Sequence, residues 1–227
     1  MKKRMILAVA LAMGLATAWG QAAPHVAIGD ILCSDNSTVR SEAWPVEGKT
    51  AIGVVFYVEQ RDGAWHGWAV GLKEQQKTRW ADANHDQQIY GQGFTATSSI
   101  TAAVTDTCGF QNTHRIFDNA ELTSDFYPAL YYVQQQGSRW YLPAMGQLHY
   151  LFGYLSEVNA TFATLNAAQA NTATAITSGS DFNNKTWSYF SSTESTTMYY
   201  VWQLNHNGGP TTDLKPNQKR VRAVTSF

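Results

Sequence analysis

The stretch Tyr199–Asn207 carries the pattern best suited to binding chemistry. As a strand it puts Tyr200, Trp202, Leu204 and His206 on one face and Tyr199, Val201, Gln203, Asn205 and Asn207 on the other. The first set reads as core. The second is rich in side-chain amides, which both donate and accept hydrogen bonds. Gly208-Gly209-Pro210 then turns the chain, and Asp213 and Asn217 follow. Tyr199, Gln203, Asn205, Asn207, Asp213 and Asn217 are therefore the candidate contact surface for a ligand. Such a surface would work by shape and hydrogen bonding rather than catalysis. The alternative is an ordinary solvated strand face.

Patterns for covalent or metal chemistry are missing. No G-x-S-x-G nucleophile elbow and no phosphate-cradling glycine loop occurs. His25, His66, His85, His114, His149 and His206 are scattered, with no pair at metalloprotease spacing. Asp82-Ala83-Asn84-His85-Asp86 opens like a calcium loop. It fails at Gln87, where the turn glycine belongs, and at Gly93, where a bidentate Glu belongs. It reads as a turn or a solvated helix start. The 17 acidic residues fall in no motif and read as surface charge. No catalytic centre, metal or cofactor is expected. The formal charge of −1 argues against nucleic acid as a partner. Asn36, Asn159 and Asn184 fit the N-x-S/T acceptor pattern, a weak signal in a chain rich in these residues.

These residues need a scaffold, and composition supplies one. Of 227 residues, 44% are hydrophobic and 15% charged, which excludes disorder as the main state. Lys2, Lys3 and Arg4 precede an uncharged apolar run to Ala18, and Ala18-Trp19-Gly20 resembles a signal-peptidase site. Residues 1–20 are expected to be an export signal cleaved after Gly20, with Ala22 as the alternative. No transmembrane segment is expected in the remainder. Loss of the three basic residues would take the net charge from −1 to −4. In an oxidising compartment Cys33 and Cys108 are expected to form a disulfide, worth roughly 3–5 kcal/mol in the chain-entropy model. Two buried free thiols are the alternative.

Along the chain, residues 27–58 read as β-rich, with Ala51–Val58 a buried strand and Gly67–Leu72 its neighbour across Arg61-Asp62-Gly63. Residues 84–118 read mostly as a long loop. Ser124 is placed as the cap of a helix through Phe126, Ala129, Leu130 and Val133, ended by Gly137. Pro143 is placed in the first turn of a second helix carrying Leu148, Leu151, Phe152 and Leu155. A third short helix runs through Phe162 and Leu165, and residues 171–186 read as loop. Met198–His206 and Arg220–Phe227 return to strand. Strands, helices, strands, without a linker, describe one α+β domain. The first and last strands are expected to meet.

Three segments carry a resemblance: Trp140-Tyr141-Leu142-Pro143 with Gln147-Leu148; Tyr189-Phe190-Ser191-Ser192-Thr193-Glu194; and Arg220-Val221-Arg222-Ala223-Val224. Together they resemble the C-terminal domain family of bacterial collagen-like surface adhesins. That family has a C-type-lectin-like fold related to the formylglycine-generating (sulfatase-modifying factor) superfamily. Ile28–Leu32 and Gly53–Tyr57 also look like segments of exported bacterial members, so the likeness covers residues 28–227. Phe190 stands where the family usually has Trp. Gln147 stands where it usually has Glu, and is expected to lose a helix-surface or capping contact. The residues themselves suggest burial for Trp140 and Leu142. Ser191, Ser192 and Thr193 would sit at a strand edge, their hydroxyls satisfying loop backbone. Arg220 and Arg222 share one face, with Glu194 as an available partner.

The resemblance implies one C-type-lectin-like domain over residues 21–227. It implies an exported, non-catalytic binding module in the periplasm, on the cell surface or outside the cell. Its ligand would be a glycan or protein on a surface, and a pilus or surface complex its partner. Val201–Gly209 is similar to the display strand of ligand-binding lectin-fold proteins. Calcium-dependent sugar binding is not implied: Lys215-Pro216-Asn217 puts a cation where an oxygen ligand is needed, and no Trp-Asn-Asp exists. One alternative is a structural subunit of a surface filament. A formylglycine-generating-type oxidase, working through copper and two nearby late cysteines, is a poorer fit, because Cys33 and Cys108 are early and far apart.

Overall fold

A continuous run of β-branched and aromatic residues, Val54-Val55-Phe56-Tyr57-Val58, drives the long central hairpin. The computed structural model describes residues 25–87, 95–119, 122–168 and 188–227; the export signal, Asn184 and the 171–186 loop lie outside them. Short strands β1 (Ile31–Cys33) and β2 (Thr38–Val39) lead into β3 (Ala51–Arg61) and β4 (Ala64–Arg79). Asp62 and Gly63 both have positive φ, the requirement of a two-residue hairpin turn, and Arg61 pairs with Ala64 across it. β4 runs well past the expected Leu72. Its polar end has no strand signature of its own but pairs with β9 (Gln218–Ser226), from Trp68↔Ser226 to Arg79↔Gln218.

Helices α1 (Ile100–Thr105) and α2 (Gly109–Asn119) occupy the region read as a loop. Their apolar positions are few. Ser99 caps α1 by accepting from Ala102 N, and Ile116 is the fully buried apolar residue of α2. α3 (Pro128–Gln134) begins at its proline rather than at Ser124, and buries Ala129, Leu130 and Val133 as the periodicity requires. β5 (Trp140–Tyr141) precedes α4 (Met145–Gly153) and α5 (Leu155–Ala167). Pro143 lies just before the α4 N-cap, Ala144, and not in the first turn. Three further strands precede β9: β6 (Tyr189–Glu194), β7 (Tyr200–Leu204) and β8 (Pro210–Leu214).

The chain is α+β, as expected. The strands form a mixed, open sheet in the order β2-β1-β3-β4-β9-β6-β7-β8, with β5 also paired to β9. The last strand therefore meets β4, β5 and β6 and not β1, because β2 and β3 take the places beside β1. Both faces of the sheet are covered. Leu148 and Leu151 of α4 and Phe162 and Leu165 of α5 pack with Val54, Phe56, Val70, Trp202, Leu204 and Val224. On the other face, Ile116 of α2 and Leu130 and Val133 of α3 pack with Trp80, Trp140, Phe190, Val201 and Val221. Among the described residues no helix is long and apolar enough to cross a membrane.

The expected disulfide is not formed. Cys33 is buried in β1 and Cys108 is exposed beside α2, and both are free thiols. Burial raises the pKa of Cys33, and partial desolvation of the thiol together with the neighbouring Asp106 charge raises that of Cys108.

Candidate functional site

The three motif segments come together around β9. Trp140 pairs with Thr225 and Tyr141 with Val224, while Tyr189 lies opposite Arg220. Ser192 N donates to Pro143 O at 2.8 Å. The hydroxyl cluster is interior, since β6 lies between β9 and β7 and Ser191, Ser192 and Thr193 are fully buried. Ser191 Oγ donates to Trp202 O at 2.7 Å. Thr193 Oγ1 donates to Asp106 at 2.6 Å and accepts from Met145 N at 2.8 Å, so it satisfies the start of α4.

Gln147 keeps a cap rather than losing one. Its Oε1 accepts from Ala144 N at 3.0 Å, and its Nε2 donates to Tyr141 Oη at 3.0 Å. Gly109 lies against this amide: a Cβ there would stand 2.2 Å from Gln147 Oε1 and 2.7 Å from Ala144 N.

The basic ribbon has a different partner from the one expected. Arg220 and Arg222 share a face as predicted, but their carboxylate is Glu74 of β4. Glu74 meets Arg220 at 2.9 Å and Arg222 at 3.5 Å, and accepts from Tyr189 Oη at 2.7 Å. Arg222 also donates to Gly71 O and lies over the Phe162 ring. Burial, helped by the Glu74 charge, pushes the Tyr189 phenol up to about 12. Glu194 instead pairs with the buried Lys215, which sits over the Trp80 ring and donates to Gln87 O. Burial lowers the Lys215 pKa against the pull of Glu194. Calcium-loop-like residues 82–86 form a turn, with Asp82 Oδ1 accepting from Asn84 N and His85 N.

The six candidate contact residues divide into three places. Gln203, Asp213 and Asn217 belong to one network on β7, β8 and the turn after it. Gln203 Nε2 donates to Asp213 Oδ2 at 3.4 Å, Asn217 Nδ2 donates to Asp213 Oδ1 at 2.6 Å, and Lys219 pairs with Asp213 at 2.5 Å. Burial works to raise the Asp213 pKa, but Lys219, the Leu214 N–H and Asn217 overcome it and hold the carboxyl below its usual range. Asn205 builds the hairpin turn: its Oδ1 accepts from Asn207 N and Gly209 N, and Gly208 takes a positive φ beside it. Asn207 is exposed. Tyr199, 41% exposed and at φ +71°, lies at the opposite end of β7.

The amide face is therefore not a solvated strand face. Val201 is fully buried and Gln203 is 4% exposed, because the second hydrophobic cluster covers the side on which parity placed open solvent. Asn207 lines a hollow of about 340 Å³ with His149, Phe152, Gly153, Leu155, His206 and Gly208.

A larger cleft lies elsewhere. About 480 Å³ opens between the β3–β4 hairpin, α2 and the end of β9. Tyr57 and Trp68 stack at 4.2 Å between ring centroids, and Tyr150 of α4 meets both edge-on. Phe110, 44% exposed, faces the cleft from α2. Glu59 and Arg61 form an ion pair in the lining, and Tyr57 Oη donates to Glu59 at 3.4 Å. Tyr141 Oη and Ser226 Oγ, 2.9 Å apart, complete the polar lining with Gln111, Gln147 and His66. The sequence held the signal for half of this: Tyr57, Glu59 and Arg61 share strand parity, as do His66 and Trp68. The contribution of α2 lay in the stretch read as loop.

No family model matches this chain, and no curated protein matches it. A solved structure does: a fimbrial protein from Bacteroides ovatus ATCC 8483, with a TM-score of 0.64 at 16% sequence identity. The match covers 89% of this chain and 49% of the fimbrial protein, so the chain spans about half that protein's length. At this identity the likeness is one of fold.

Proposed function

We propose that this chain is an exported, non-catalytic subunit of a surface filament. The likeness of fold to a fimbrial protein over 89% of the chain carries this reading. The open sheet supports it. Among the described residues β2 and β8 end the sheet, and edge strands offer backbone donors and acceptors to a neighbouring chain. Shearing cells of the organism that encodes it should release the chain with high-molecular-weight filaments that a specific antibody decorates along their length. Recovery solely as a monomer from the soluble fraction would refute the assignment.

A second reading, adhesin-like recognition of a surface ligand, is favoured by the aromatic cleft. A filament subunit can carry both roles, since the cleft lies on the β3–β4 and α2 side and the sheet ends at β2 and β8.

A further inference from the structure

The geometry of the cleft points to a neutral glycan as its occupant: we infer that the Tyr57–Trp68 platform, Phe110 and the Glu59–Arg61 pair bind a pyranose unit of an uncharged oligosaccharide. The inference rests on the recognition reading and not on filament assembly. Three observations carry it.

The first is the platform. Tyr57 and Trp68 stack at an interplanar angle of 24° and stay half-buried, with Tyr150 packed edge-on against both. Rings braced in this way offer a flat apolar face at small entropic cost. Gly67 lets Phe227 close in. A Cβ there would stand 2.6 Å from the Phe227 ring and 2.5 Å from Tyr57 O, so glycine brings Phe227 against the hairpin. The second is charge. Among the lining side chains the Glu59 carboxylate and the Arg61 guanidinium neutralise each other, and the other polar groups are hydroxyl, amide, imidazole and indole. A polyanion would meet Glu59 and a basic peptide would meet Arg61. A purely apolar segment would strip water from the ion pair without replacing its hydrogen bonds. The third is mixture. Planar polar groups stand beside aromatic faces, which suits a ring with C–H bonds on one face and hydroxyls at its rim. The volume of about 480 Å³ falls within the range of small-ligand sites.

The test uses the full chain with cellotetraose, chitotetraose, mannotetraose and N-acetyllactosamine, read by calorimetry and ligand-observed saturation-transfer NMR. At least one should bind saturably. Arg61→Ala and Phe110→Ala alter exposed side chains and should each weaken it tenfold or more, as should Trp68→Ala. Asn207→Ala, at the far hairpin turn, should leave it unchanged. Binding that survives Arg61→Ala and Phe110→Ala keeps the recognition reading and overturns this site. Binding of heparin or of a polylysine peptide at the cleft, with none of the four neutral sugars bound, overturns the ligand class.

Discussion

Replacing Glu74 by Gln tests which carboxylate neutralises the basic ribbon. The side chain of Glu74 is 1% exposed, and it faces Arg220 at 2.9 Å, Arg222 at 3.5 Å and the Tyr189 hydroxyl at 2.7 Å. Glu74→Gln keeps the shape and removes the charge, leaving the fully buried Arg222 guanidinium without its counter-ion. Breaking a buried pair from one side costs about 3–5 kcal/mol. Glu194→Gln should cost a similar amount, but by stranding Lys215. A double-mutant cycle separates the two. Lys215→Met places a thioether over Trp80, so Glu194→Gln/Lys215→Met should recover much of the single-mutant loss. Glu74→Gln/Lys215→Met should instead add to within about 0.5 kcal/mol. Urea denaturation, with a common slope across the variants, measures each term. A loss below about 1 kcal/mol for Glu74→Gln would refute the reasoning. So would coupling of Glu74 to Lys215 as strong as that of Glu194.

Gly109→Ala should destabilise by about 3 kcal/mol or more, since its Cβ meets Gln147 Oε1 and the backbone of Ala144 and disrupts a buried cap. Gly153→Ala, at a helical position with nothing within 4 Å of the added Cβ, should stabilise by about 0.5–1 kcal/mol in the same urea denaturation. Alkaline stability follows Tyr189, whose folded pKa of about 12 exceeds the unfolded value of 10.0. Between these values the folded state keeps a proton that the unfolded chain has lost, so stability falls as pH rises, by about 2–3 kcal/mol in all. Lys215, held low by burial, acts in the opposite sense below its ordinary value of 10.5. The measurement is therefore the difference between wild type and Tyr189→Phe in urea midpoints from pH 9 to 12, and an unchanged slope in the variant would count against the assignment.

Much of the scaffold was legible because its signals are local. The Asp62-Gly63 turn, the β-branched run of β3 and the i, i+3, i+4 stripe at Ala129, Leu130 and Val133 each determine their element within a few residues. The three motif segments meet around β9, a long-range arrangement that no local signal in them determines. What was not legible depended on distant partners. The polar end of β4 is a strand because β9 lies beside it. α1 and α2 hide in a Thr- and Asn-rich stretch, since Thr113 and Asn112 are buried as hydrogen-bond partners rather than as hydrophobes. Glu194 belongs to the same set of motif segments as the arginines, whereas Glu74 reaches Arg220 across 146 residues.

The same dependence decides where binding capacity remains. A side-chain amide offers recognition only if its donors and acceptor are not already committed. Asn205 has spent its oxygen on two turn amides, Asn217 donates to Asp213, and Asp213 holds Lys219 and the Leu214 N–H. A ligand there would have to replace bonds that hold the hairpin, each worth about 1 kcal/mol net and more when left unmade. At the aromatic cleft the apolar faces are braced from behind, and although Tyr141 and Gln147 are already bonded, the exposed Arg61 and Gln111 line an open hollow. Occupying it removes apolar surface from water without dismantling a turn. Strand parity can name the residues on a face, but the free hydrogen-bonding capacity of that face is set by what the rest of the chain lays against it.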